Sequence, residues 1–133
     1  GRALDRPSRA EAEALGLRDG DLVARLVRVR TADAEPVAIE RAVLPQAVLP
    51  DPGAVGDSLY AALDRIGRRP VSGTQRLRAL PARAAEARLL SCEPGEPLLC
   101  VERRCFDARG SCVEFTETRY LGRAYDFVAD LAP

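Results

Sequence analysis

Residues 22–44 read LVARLVRVRTADAEPVAIERAVL, and this stretch decides the fold. Side chains alternate across a strand, so positions two apart share a face. From Leu22 to Arg30 the even positions give Leu22, Ala24 and Leu26, then Arg28 and Arg30; the odd positions give Val23, Arg25, Val27 and Val29. This Val-rich run, free of Gly and Pro, predicts one long strand. The turn-forming stretch Ala32–Pro36 then returns the chain through Val37 to Leu44, so an antiparallel hairpin is expected. A strand largely apolar on both faces needs cover on both, from helices or from a partner chain.

Working outward, Ser8-Arg9-Ala10-Glu11 has the form of a capping box, with Ser8 as N-cap and Glu11 three residues on. Ala10, Ala14 and Leu15 mark an apolar helix face, and Gly16 suits its C-terminal stop. Asp19-Gly20-Asp21 turns the chain into the strand. Beyond the hairpin, Pro45, Pro50 and Pro52 predict an irregular stretch, and Ser58 caps a short helix through Ile66, ended by Gly67. A strand is expected over Val71–Leu80. A helix is expected over Pro81–Leu90, with Pro81 at its first position, where a missing N–H costs least. After the turn Glu93-Pro94-Gly95, Leu98–Phe106 and Cys112–Leu121 predict a second hairpin around Asp107–Gly110. Tyr125–Leu131 is expected to add a last helical turn.

The order helix–hairpin thus occurs twice. Pro7 and Pro81, Leu15 and Leu89, and Glu40 and Glu114 are each 74 positions apart, and Arg28 and Arg103 one more. A structural duplication and a chance recurrence of a common motif both fit this spacing. Hairpins and helices without βαβ crossovers place the chain in the α+β class, with a mostly antiparallel sheet flanked by helices.

A chain of 133 residues is one domain's worth, with enough material for one core. Charge is balanced, 20 basic against 20 acidic, and every basic residue is Arg. Zero net charge argues against nucleic-acid binding by this segment, because duplex binding rests on surplus cations at phosphates. No run of basic residues exceeds Arg68-Arg69 or Arg103-Arg104. No apolar run approaches the ~20 residues of a membrane span. The absence of Met, with Gly1 first, reads as a piece of a longer protein that continues upstream. With no His, Ser-His-Asp and Cys-His mechanisms and His-ligated metals are excluded, and no cofactor is expected. Cys92, Cys100, Cys105 and Cys112 lack C-x-x-C spacing. Cys105 and Cys112 flank the turn at Asp107–Gly110 and can face each other across it. Reduced thiols acting as small apolar residues are the favoured reading.

The candidate site begins where apolar strand faces turn polar. Pairing Arg28 with Glu40 sets two guanidiniums, Arg28 and Arg30, and one carboxylate around a single concavity. An ion pair sealing the sheet's end fits the same pattern equally well. On the last strand Glu114, Thr116, Thr118 and Tyr120 share a face opposite Val113, Phe115 and Leu121. Such a row can hydrogen-bond a polyhydroxylated ligand, although a solvated face is the simpler reading.

In order and spacing these pieces resemble the UTRA domain, the effector-binding module of GntR-type regulators of the HutC subfamily. The resemblance runs from about Leu4 to Leu131. It is carried by Val27-Arg28-Val29-Arg30, Glu35-Pro36-Val37-Ala38-Ile39-Glu40-Arg41, Leu44-Pro45, Ser58-Leu59-Tyr60, Val113-Glu114-Phe115-Thr116, and Tyr120 with Tyr125 and Phe127. Cys112, Leu121 and Arg123 stand where the family commonly has other residues. The resemblance implies a chorismate lyase-like fold with an internal ligand cleft, a homodimer, and a winged helix-turn-helix domain upstream that alone holds DNA. It implies that Arg28, Arg30, Ser58 and Tyr60 hold an anionic group, and that Glu40, Glu114 and Tyr120 hold the polar remainder. The expected function is cytoplasmic sensing of a small anionic metabolite, a sugar phosphate or an organic acid, without catalysis. A lyase of the same fold and a purely structural dimerisation module are the rival readings.

Overall fold

The computed structural model describes residues 1–55 and 59–132. Ten elements follow one another: β1 (Arg2–Asp5), α1 (Arg9–Leu15), β2 (Val23–Ala32), β3 (Glu35–Pro45), a 3-10 turn (Pro52–Ala54), α2 (Leu59–Arg65), β4 (Ser72–Pro81), α3 (Ala84–Leu90), β5 (Pro97–Phe106) and β6 (Cys112–Leu121). The strands form one six-stranded sheet in the order β1-β2-β3-β6-β5-β4, every neighbouring pair antiparallel. This is the α+β architecture expected, with the chorismate lyase-like topology.

The two expected hairpins are present. In the first, Arg28 pairs with Glu40 and Arg30 with Ala38, and a bulge follows Arg30. The turn shrinks to Asp33 and Ala34, both with positive φ, the backbone of a tight two-residue hairpin. In α1 the capping box forms: the Glu11 N–H donates to Ser8 Oγ at 3.1 Å, and the Ser8 N–H donates to Glu11 Oε1 at 2.7 Å. Gly16 ends α1 in the left-handed region at φ 67°.

The first half of β2 is covered on both faces from within the chain. On one face Ala24, Leu26, Ala42 and Leu44 pack beneath Leu59 and Leu63 of α2 and beneath Val48, Leu49 and Val55. On the other, Leu15 of α1 packs on Val23 and Val43, and Ala87 and Leu90 of α3 pack on Ile39, Leu98 and Leu121. Helices of the same chain, rather than a partner, supply that cover.

Three sequence expectations are corrected. Pro81 does not open a helix; it closes β4, opposite Pro97, and α3 starts at Ala84. Ala82 continues the ladder by donating to the Glu96 carbonyl, and an edge strand tolerates a proline that lacks a donor. Tyr125–Leu131 forms no helical turn; the Tyr125 ring instead stacks on Tyr120, centroids 3.9 Å apart. Cys105 and Cys112 do not face each other: Cys105 pairs with Glu114, whereas Cys112 pairs with Phe106 and packs in the α1 cluster. All four cysteines are free thiols. Strand β1, four exposed residues on the sheet edge, carries no pattern that marks it in the sequence.

The two halves, β1-α1-β2-β3 and β4-α3-β5-β6, occupy two-fold related places about the β3–β6 seam. The register is 75 rather than 74 for the helices, since Arg9–Leu15 corresponds to Ala84–Leu90. Leu15 therefore matches the buried Leu90, not the exposed Leu89. The Glu40–Glu114 match fails likewise: Glu40 faces Arg28, while Thr116, not Glu114, faces Arg103.

Candidate functional site

The first turn of α2 stands over the polar end of the sheet face that it covers, and a cleft of about 300 Å³ lies between them. Its lining is Arg28 and Arg30 of β2, Glu40 of β3, Leu59 and Tyr60 of α2, Arg103 of β5 and Glu114 of β6. Strand alternation puts all the strand residues on one face, because Arg28 pairs with Glu40, Glu40 with Thr118 and Ala42 with Thr116.

Glu40 sits between the two arginines. Arg28 Nη2 donates to its Oε1 at 3.1 Å and Arg30 Nη1 to its Oε2 at 3.2 Å. The carboxylate is mostly covered, while the two guanidiniums stay substantially open. Across the cleft, Tyr60 Oη donates to Glu114 Oε1 at 3.3 Å and Arg103 Nη2 donates to Tyr60 Oη at 3.4 Å. Burial, and then the nearby Glu114 carboxylate, pushes the Tyr60 phenol up to about 12, so it stays a neutral donor at physiological pH. The same two causes push the Cys105 thiol up to about 11, which keeps it protonated and inert beneath the cleft.

Ion pairs elsewhere in the molecule range from tighter to looser than these, between 2.5 and 4.0 Å. Arg119 meets Glu86 at 2.6 Å, Arg68 meets Asp107 at 2.7 Å and Arg25 meets Glu11 at 2.5 Å. Charged hydrogen bonds normally close to about 2.7–2.9 Å. The cleft contacts at 3.1–3.4 Å leave guanidinium donors for something else.

Five of the seven residues picked from sequence therefore line one cleft: Arg28, Arg30, Glu40, Tyr60 and Glu114. Tyr120 lies beside it, in the row of Arg30 and Ala38, half-buried and stacked on Tyr125. Its phenol is pushed up by burial and by Tyr125, against the pull of Arg30. Ser58 lies outside the described residues. The row Glu114–Thr116–Thr118 is not a solvated face; all three are buried. Sequence reasoning missed Arg103. A signal for it exists, since Arg103 follows Arg28 by 75 positions, the register that relates α3 to α1.

The UTRA domain model matches residues 2–126 of this sequence. The chain belongs to the UTRA family. It is 28% identical over 117 residues to the HTH-type transcriptional repressor NagR of Bacillus subtilis, a match covering 86% of this chain. The chain spans about half the length of that curated relative, 48%. Among solved structures, a GntR-family transcriptional regulator from Enterococcus faecalis V583 superposes with a TM-score of 0.92 at 25% identity, covering 98% of this chain and 96% of that one. The effector domain of PhnF from Mycobacterium smegmatis superposes with a TM-score of 0.92 at 25% identity, covering 100% and 84%. These relatives are transcription regulators or domains of them, not enzymes. As a UTRA domain of the GntR type, the chain has an effector-binding, regulatory role. No helix among the described residues is long and apolar enough to cross a membrane.

Proposed function

We propose that this UTRA domain binds a small anionic metabolite, a sugar phosphate or an organic acid, in the cleft between α2 and the sheet. The observation that carries this reading is the loose sharing of one carboxylate, Glu40, by two guanidiniums that both keep open donors. Two arginines so placed grip a phosphate or carboxylate from two sides. Tyr60 adds a neutral donor, and Ser58, two positions before it in the chain, adds a hydroxyl. Glu114 accepts from ligand hydroxyl or amine groups, and Tyr120 borders the polar remainder.

In the full protein, of the HutC subfamily, the domain forms a homodimer in the cytoplasm and an upstream winged helix-turn-helix domain holds DNA. Effector binding shifts the dimer between two arrangements, by no more than its differential affinity for them. The test is calorimetry on this domain with effectors found in a thermal-shift screen of sugar phosphates and organic acids. Arg28→Ala and Arg30→Ala are each expected to weaken binding by about 1.5–3 kcal/mol while the domain stays folded. Unchanged affinity in both variants would make the cluster structural.

A further inference from the structure

We propose that Arg103 reads a second acidic group, so that the effector of this cleft is acidic at both ends. The inference rests on the anion-binding reading above and adds to it the charge pattern of the ligand. The lining holds three guanidiniums against two carboxylates. Glu40 is shared by Arg28 and Arg30. Arg103 has no carboxylate within ion-pair distance among the described residues; its hydrogen bond is the long one to Tyr60, at 3.4 Å. Burial acts against its charge, yet Tyr60 and Glu114 keep the guanidinium firmly protonated.

Position separates Arg103 from the first pair. β3 and β6 lie between β2 and β5, which sets the backbones of β2 and β5 about 14 Å apart at ordinary strand spacing. Arg103 is also one row away from Arg28, since it shares a row with Thr116, Ala42 and Leu26. The arginines reach in from opposite walls, and one compact anion held between Arg28 and Arg30 leaves Arg103 with its long bond to Tyr60 and no ion-paired carboxylate among the described residues. A ligand several bonds long, with an acid at each end, satisfies both walls.

The test compares two probes of equal length, 6-phosphogluconate and sorbitol 6-phosphate, which differ at one end by a carboxylate in place of an alcohol. Calorimetry on this chain is expected to give about tenfold or more tighter binding of 6-phosphogluconate, the scale of one charged hydrogen bond. That preference is expected to collapse in Arg103→Gln. It is expected to persist in Tyr60→Phe, which removes the Tyr60 hydroxyl but leaves the Arg103 charge. Equal binding of both probes by the unmodified chain overturns the second-acid inference and leaves anion binding standing. A preference that survives Arg103→Gln, or that vanishes equally in Tyr60→Phe, overturns it too, the latter by making Arg103 a positioning residue for Tyr60. Binding of neither probe at millimolar concentration counts against both readings. Circular dichroism of each variant separates loss of binding from loss of fold.

Discussion

Glu86 on α3 is a buried carboxylate with close charged partners, which sets it apart from the carboxylates of the cleft. Burial alone would raise its pKa, yet the Arg83 N–H, and then the Arg119 guanidinium at 2.6 Å, hold the carboxyl below its ordinary 4.5. A carboxylate depressed in the folded state stabilises the protein above its unfolded pKa and loses that contribution as pH falls through the lower, folded value. Glu86→Ala is expected to cost about 3 kcal/mol, the low end for breaking a buried pair, because Arg119 keeps Glu117 at 2.7 Å. Urea unfolding near pH 7 measures that difference, and repeating it at about pH 3.5 is expected to narrow it. A gap that widens on acidification contradicts the assignment. At this scale the sequence is half legible. Alternation along β2 and β6 is enough to put Arg28 with Arg30 and Glu114 with Tyr120 on shared faces. It does not reveal that Glu114, Thr116 and Thr118 are buried, because depth depends on α2 crossing above them.

At the scale of elements, the matching helices α1 and α3 end in the same backbone state with different residues. Gly16 closes α1 at φ 67° and Ser91 closes α3 at φ 53°. Left-handed backbone costs an L-residue about 1–2 kcal/mol, and glycine nothing comparable. Ser91→Gly is therefore expected to raise the unfolding free energy by about 0.5–1 kcal/mol, and Gly16→Ala to lower it by about 1 kcal/mol, both read by chemical denaturation. The same sign for both substitutions would mean that the caps do not behave as counterparts. The hairpins and the α1 capping box are legible because each has a local chemical cause: alternation, turn residues, a reciprocal hydrogen bond. The start of α3 is not, because Pro81 suits a helix start and an edge-strand end equally well, and only its pairing with Pro97 decides. Strand β1 is invisible for the opposite reason: its four residues are held by the β2 edge rather than by any preference of their own.

Across the whole molecule, the sheet order β1-β2-β3-β6-β5-β4 relates two halves around the β3–β6 seam, and α2 breaks the symmetry. α1 and α3 lie on one face as counterparts, while α2 crosses the other and makes the cleft there. The internal two-fold bears on assembly. The apolar faces of β2, which from sequence alone admitted a partner chain, are covered by the chain's own helices over Val23–Val27, while Val29 is exposed. Exposed large apolar residues include Leu4, Val29, Ile66, Val71 and Leu89, and, in the segment after β6, Tyr125, Phe127, Val128 and Leu131. A regulator that presents two DNA-binding arms to a two-fold operator also needs two copies of its sensing domain. The expected outcome is a dimer at tens of micromolar, a rough scale for a functional oligomer, read by sedimentation velocity. A monomer there counts strongly against the homodimer.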